Sequence, residues 1–281
     1  MIDESRIHSV ETEIKRVVDN LFSVLEEKVR SKSDLVLFLE NGHKSRFKIP
    51  DKSEYVIGPG EEYHDDRYRR EFYIQYLKGA GIERHKNLEA GGEIDDLSKF
   101  KRFSLFLELM IYCHLWENKL HLRDLKQIAR LLDRNSYNWD LTIPDYNKGN
   151  LIRTEIRDVF INHGLEAGDL INSIYNGQIR NAFAHSQFTF MPNGDTIILG
   201  NYDGKYHNLS RINEYEWENY FLKSTLFFHH FFIKKEKMRV DFGNDNPVVN
   251  IDFPISPGRK RQIEIYWHNP GYAYTFSPPS N

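Results

Sequence analysis

Apolar residues at Ile7, Val10, Ile14, Val17, Val18, Leu21, Val24, Leu25 and Val29 recur at three- and four-residue spacing, which predicts an amphipathic helix over residues 5–30. The compact apolar run Leu35-Val36-Leu37-Phe38-Leu39 reads differently. Followed by Asn41-Gly42, it predicts a buried strand and a tight turn, with residues 45–49 as a partner strand. Ile57-Gly58-Pro59-Gly60 marks a loop, residues 66–78 a short helix, and Ala90-Gly91-Gly92 the strongest boundary. From residue 98 the helical period returns in Phe100, Phe103, Phe106, Leu107, Met110, Ile111, His114 and Leu115, and again in Leu122, Leu125, Ile128, Ala129, Leu131 and Leu132.

Residues 135–150, with Pro144 and Gly149, read as a loop before helices at 152–162 and 167–185, the second bent near Gly177. Phe188-Thr189-Phe190-Met191 and Thr196-Ile197-Ile198-Leu199 flank Pro192-Asn193-Gly194-Asp195, a hairpin pattern. A last helix over 213–239 is rich in aromatics, from Tyr215 and Trp217 to Phe231 and Phe232. The tail then alternates in Val249-Asn250-Ile251-Asp252-Phe253 and Gln262-Ile263-Glu264-Ile265-Tyr266-Trp267, as strands do. The expected class is therefore mainly α (α+β). Its parts are an N-terminal α/β region at 1–95, a helical bundle at 96–240 with a β-hairpin after its fourth helix, and a β tail at 241–281.

Composition narrows the class without naming a function. In 281 residues, 40% are hydrophobic and 14% aromatic, enough for a sizeable core. No apolar run approaches the length of a membrane span, and the polar start Met1-Ile2-Asp3-Glu4 lacks the apolar stretch of a secretion signal, so a cytoplasmic protein without membrane contact is expected. The single cysteine, Cys113, sits in an apolar run and reads as a buried thiol. A net charge of −3 argues against a protein that coats nucleic acid nonspecifically, while local basic patches remain. The best of these is Arg67, Arg69 and Arg70 interleaved with Tyr68 and Tyr73, a stacking-plus-phosphate pattern for RNA. Glu61-Glu62-Tyr63-His64-Asp65-Asp66 reads as a helix-capping cluster rather than a metal site.

The chemistry concentrates in Arg180-Asn181-Ala182-Phe183-Ala184-His185. A guanidinium is a planar fork matched to phosphate oxygens, and an imidazole exchanges protons near neutral pH. On a helix, Asn181 and His185 share a face, whereas Arg180 stands about 140° round from His185. One helix does not readily close both around one phosphate, and two copies across a two-fold axis do. Glu117 and Glu108, on the first bundle helix, are candidate carboxylate partners for Arg180, with Glu117 preferred because it lies near the helix end.

These residues, within Tyr175-Asn176-Gly177-Gln178-Ile179-Arg180-Asn181-Ala182-Phe183-Ala184-His185-Ser186, resemble the signature of the HEPN (higher eukaryotes and prokaryotes nucleotide-binding) superfamily. The resemblance implies a HEPN-like bundle and a metal-independent endoribonuclease that acts as a homodimer and needs no cofactor. It implies a toxin or antiviral-defence role, with an antitoxin or defence-system partner. Arg180, Asn181 and His185 would be catalytic: Arg180 on the phosphorane oxygens, His185 as general base or acid, and Asn181 orienting His185 or a phosphate oxygen. Family members regulated through a tyrosine two residues after the histidine are not matched, since Gln187 stands there. The alternative reading is a non-catalytic nucleotide- or protein-binding module on the same bundle.

Overall fold

The structure, a computed structural model, describes residues 4–42, 94–191, 195–200, 209–256, 259–268 and 273–276, with backbone alone at 4–5, 94–103 and 255–256. It is mostly helical, with two small antiparallel sheets. Helix α1 (Glu4–Lys28) buries Val10, Ile14, Val17, Val18, Leu21, Phe22 and Leu25. This apolar stripe lies along the long helix α9 (Glu214–Asp245).

Residues 35–39, expected as a strand, are instead the body of helix α2 (Lys32–Leu39). Its ends explain the difference. Ser31 caps the N-terminus by accepting from Asp34 N, and Asn41 takes a left-handed φ of 52°. Asn41 N then donates to Phe38 O and Gly42 N to Leu37 O, so the Asn-Gly pair closes a helix rather than a hairpin. Every residue from Asp34 to Leu39 is buried, so the run lacks a polar face to reveal its period. The expected partner strand at 45–49 and the helix at 66–78 lie outside the described residues.

Helices α3 (Ile94–Glu117) and α4 (Lys119–Leu132) begin the bundle. After a loop come α5 (Lys148–Asn150), a π-helical stretch (Leu151–Arg157) and α6 (Asp158–Asn162), continuous in sequence. Gly164, with φ of 69°, ends α6 and leads to α7 (Glu166–Ile174). The helix expected over 167–185 is broken at Tyr175 and Asn176, after which α8 (Gly177–Ala184) starts afresh. Asn176 caps α8 by accepting from Gln178 N and Ile179 N. The Tyr112 hydroxyl on α3 donates to Ile174 O and accepts from Asn176 N, each at 2.8 Å, which fixes the break.

Strands β1 (Phe188–Phe190), β2 (Thr196–Leu199) and β3 (Arg211–Asn213) form an antiparallel sheet in sequence order, with the hairpin tip outside the described residues. Asn213 ends β3 and opens α9 through a reciprocal capping box with Glu216. The second sheet, β4 (Val248–Ser256), β5 (Arg259–His268) and β6 (Ala273–Thr275), builds the expected β tail. One hydrophobic cluster runs from Val10 through the bundle to Tyr274.

Most of the aromatic face of α9 is used inside the chain. Trp217, Phe221, Phe227, Phe228 and Phe231 are all buried, with Phe22 of α1 at 5.1 Å from Phe231 and Trp116 of α3 at 5.1 Å from Phe228. The helix also runs on to Asp245 rather than stopping at 239.

Candidate functional site

The end of α8 is set by its own backbone. His185 is the C-terminal cap, and Ser186 adopts a left-handed φ of 56°. Ser186 N donates to Phe183 O and Gln187 N to Ala182 O, the double closure of a Schellman motif. Serine in this conformation lacks the freedom of glycine and costs about 1 kcal/mol or more. The turn holds His185 exposed at the helix end, while Phe183 and Phe188 stack at 5.3 Å on either side of it in sequence. Phe106 of α3 joins them at 5.5 Å from Phe183 and is itself 44% exposed.

Arg180 and Asn181 point to another part of the surface. Both line a cleft of about 430 Å³ together with Asn147, Gly149, Arg153, Tyr175, Asn176, Gly177 and Gln178. His185 is not among its lining residues. The angular separation read from the sequence thus appears in space as a cleft with Arg180 in it and a helix end carrying His185 beside it.

Of the two candidate carboxylates, Glu117 reaches Arg180. Arg180 Nη1 lies 2.8 Å from Glu117 Oε1, an ionic contact that is not aligned as a hydrogen bond. Lys148 Nζ bonds the other oxygen of Glu117. Glu108 belongs elsewhere: Trp217 Nε1 donates to its Oε2 at 2.7 Å and Ser104 Oγ to its Oε1 at 3.1 Å. Burial pushes the Glu108 carboxyl up to about 7 against those two hydrogen bonds. The proposed RNA-binding arginines Arg67, Arg69 and Arg70, and the cluster with His64, Asp65 and Asp66, lie outside the described residues.

Three cleft or near-cleft residues were not singled out from the sequence: Lys148, Arg153 and Tyr175. The one available signal was electrostatic. Lys148 sits in the first turn of a helical run, where a cation opposes the helix dipole and calls for an anionic partner. Arg153 reaches the cleft from the π-helical stretch, a geometry frequent at functional sites and not encoded by any simple periodicity. The Tyr175 ring rests on Trp116 at 5.0 Å. Burial raises the pKa of its hydroxyl, and Arg180 and Arg153 act in the opposite direction. The hydroxyl therefore stays protonated and able to donate.

Cys113 lies close enough to feel the charge of Arg180, but burial dominates and pushes its thiol up to about 12. That excludes a thiolate nucleophile at neutral pH. Among the described residues, no group of three or more His, Cys, Asp or Glu side chains is placed to hold a metal ion. No described helix is long and apolar enough to cross a membrane. No family model, curated protein or solved structure matches this chain.

Proposed function

We propose that this chain is a metal-independent endoribonuclease of the HEPN type, acting as a homodimer in a toxin or antiviral-defence setting. The observation that carries the reading is the placement of Arg180 and Asn181 in a polar cleft on the same short helix whose end exposes His185. The reaction is transesterification within the RNA. The 2′-oxygen bonds to the adjacent phosphorus as its proton passes to a base, and the P–O5′ bond breaks as O5′ takes up a proton. The products are a 2′,3′-cyclic phosphate and a free 5′-hydroxyl. His185 transfers one of these protons, a contribution of roughly 10²- to 10⁴-fold. Arg180 neutralises charge growing on the phosphorane oxygens, with Glu117 and Lys148 fixing its guanidinium.

The exposed edge of the Phe106, Phe183 and Phe188 cluster flanks His185 and offers apolar surface to a second copy. Two copies joined there bring the imidazole of one toward the guanidinium of the other.

A second reading, a non-catalytic nucleotide-binding module, is favoured by one observation: His185 stands outside the cleft that holds Arg180. The two separate cleanly. The purified chain should cleave RNA in EDTA and lose that activity on His185→Ala while staying folded. Mixing inactive Arg180→Ala and His185→Ala proteins should restore roughly a quarter of the activity, since half of the dimers regain one intact composite site. Absence of cleavage by the parent protein under all of these conditions favours the binding module.

A further inference from the structure

The cleft holds more positive charge than its own carboxylate neutralises. Arg153 and Arg180 line it, while Lys148 and Glu117 stand behind Arg180, so these four side chains together carry +2 in a chain of net −3. Arg153 is exposed, and no carboxylate among the described residues pairs with it. Next to it, the buried Tyr175 Oη has no well-aligned hydrogen bond, and Arg180 is near enough to donate to it. A guanidinium can only donate, so the hydroxyl proton of Tyr175 is left for an acceptor, and a ligand oxygen beside the Arg153 guanidinium would supply one.

Two glycines keep the space between these groups clear. A Cβ at position 149 would stand 2.9 Å from Tyr175 Oη and 3.3 Å from Arg153 Nη1. At position 177 the same two atoms would lie at 3.5 Å and 3.7 Å. Asn147, Asn176, Gln178 and Asn181 complete the lining. Gln178 is already committed to the backbone of Leu209, and Asn176 to capping α8.

We infer that Arg153 and Tyr175 form a phosphate subsite within one chain, which holds a backbone phosphate of single-stranded RNA next to the phosphate contacted by Arg180. This rests on the ribonuclease reading for the identity of the ligand, but it needs neither His185 nor a second copy. Arg153 supplies the paired N–H donors that match two phosphate oxygens, and Tyr175 supplies a third donor from the buried wall. The subsite sets affinity and register and takes no part in bond breaking.

The test uses the full chain carrying His185→Ala and a fluorescent 2′-O-methyl RNA oligomer, which has no 2′-hydroxyl to attack. Arg153→Gln should weaken binding at least ~10-fold, the loss expected for a charge-assisted pair of hydrogen bonds. It should also lower the slope of log affinity against log salt by about 0.7, the value for one phosphate contact on a single strand. Tyr175→Phe should weaken binding severalfold without changing that slope. Inorganic phosphate and 5′-AMP serve as competitors. Displacement of the oligomer only at millimolar concentrations is expected for a subsite that reads a polymer. Displacement by 5′-AMP at micromolar concentrations would instead assign the cleft to a free nucleotide and overturn the proposal.

Binding by Arg153→Gln within twofold of the parent, with an unchanged salt slope, would also overturn it. If RNA is still cut through Arg180 and His185 in that case, the ribonuclease reading survives the loss of the subsite. If no RNA is cut but Arg153→Gln weakens oligomer binding as expected, the subsite stands and the ribonuclease reading falls.

Discussion

Two clusters of charged side chains in this molecule have opposite characters. On the α2 side, Lys235 bonds Asp124 at 2.8 Å and Asn41 at 2.6 Å and lies over the Phe38 ring, with its side chain 2% exposed. Nearby, Arg239 pairs with Glu40 and Glu236. On the α8 side, Arg180 and Lys148 share Glu117, yet Arg180 remains 24% and Glu117 31% exposed. Tyr175 Oη beside them has no well-aligned hydrogen bond. The first cluster is closed, with its main donors and acceptors committed to the fold. The second is open, with donors left over and glycines preserving the space in front of them. Complete pairing closes the first cluster, and incomplete pairing beside a cavity leaves the second able to take a ligand.

If that distinction is right, the two clusters respond to mutation in opposite ways. Lys235→Met leaves the Asp124 carboxyl buried without its cation and should lower stability by about 3–5 kcal/mol, read from chemical denaturation. Burial already raises the pKa of Asp124 and lowers that of Lys235, with their mutual attraction opposing both shifts. Combining Lys235→Met with Asp124→Leu should recover much of the loss. Arg180→Ala, in the open cluster, should cost under about 1 kcal/mol of stability, because its ion pair is partly solvated. The same change should slow RNA cleavage by roughly 10²- to 10³-fold, the usual cost of removing one electrostatic stabiliser. Equal stability losses at Lys235 and Arg180 would erase the contrast.

Glu108 sharpens the comparison because it was a candidate for the open cluster and belongs to the closed interior. Its carboxyl is raised to about 7 by burial, from the ordinary 4.5. Between those values the folded state holds more protons than the unfolded one, so stability falls as pH rises from about 4.5 toward 7 and then levels. Glu108→Gln should flatten that portion of the stability profile and gain on the order of 1–3 kcal/mol at pH 7.5, since an amide can keep both hydrogen bonds. An unchanged profile would show that Glu108 does not titrate in this window.

Legibility in the sequence followed the same division. Helix α1 has one wet face, so its period is visible; α4 shows its period through regularly spaced polar residues although most of it is buried, and the alternation of β4 and β5 is equally plain. Helix α2 was misread as a strand because it is buried all round, and Asn41-Gly42 is a turn signal that also serves as a helix cap. The break at Tyr175 and Asn176 depends on a hydroxyl from Tyr112, more than 60 residues away, which no local pattern contains. At the site, the preference for Glu117 over Glu108 as partner of Arg180 agrees with the structure. Arg153 escaped notice because the π-helical stretch, not a regular helix, brings it to the cleft.

The central claim, that Arg180 and His185 cut RNA through its own 2′-hydroxyl, is tested most directly by the ends of the cleavage products. A short RNA incubated with the purified chain in EDTA should yield 2′,3′-cyclic phosphate and 5′-hydroxyl ends. A single 2′-deoxy substitution on the 5′ side of the cut should abolish cleavage at that position alone. Products with 5′-phosphates, or cutting that persists at the 2′-deoxy position, would contradict it.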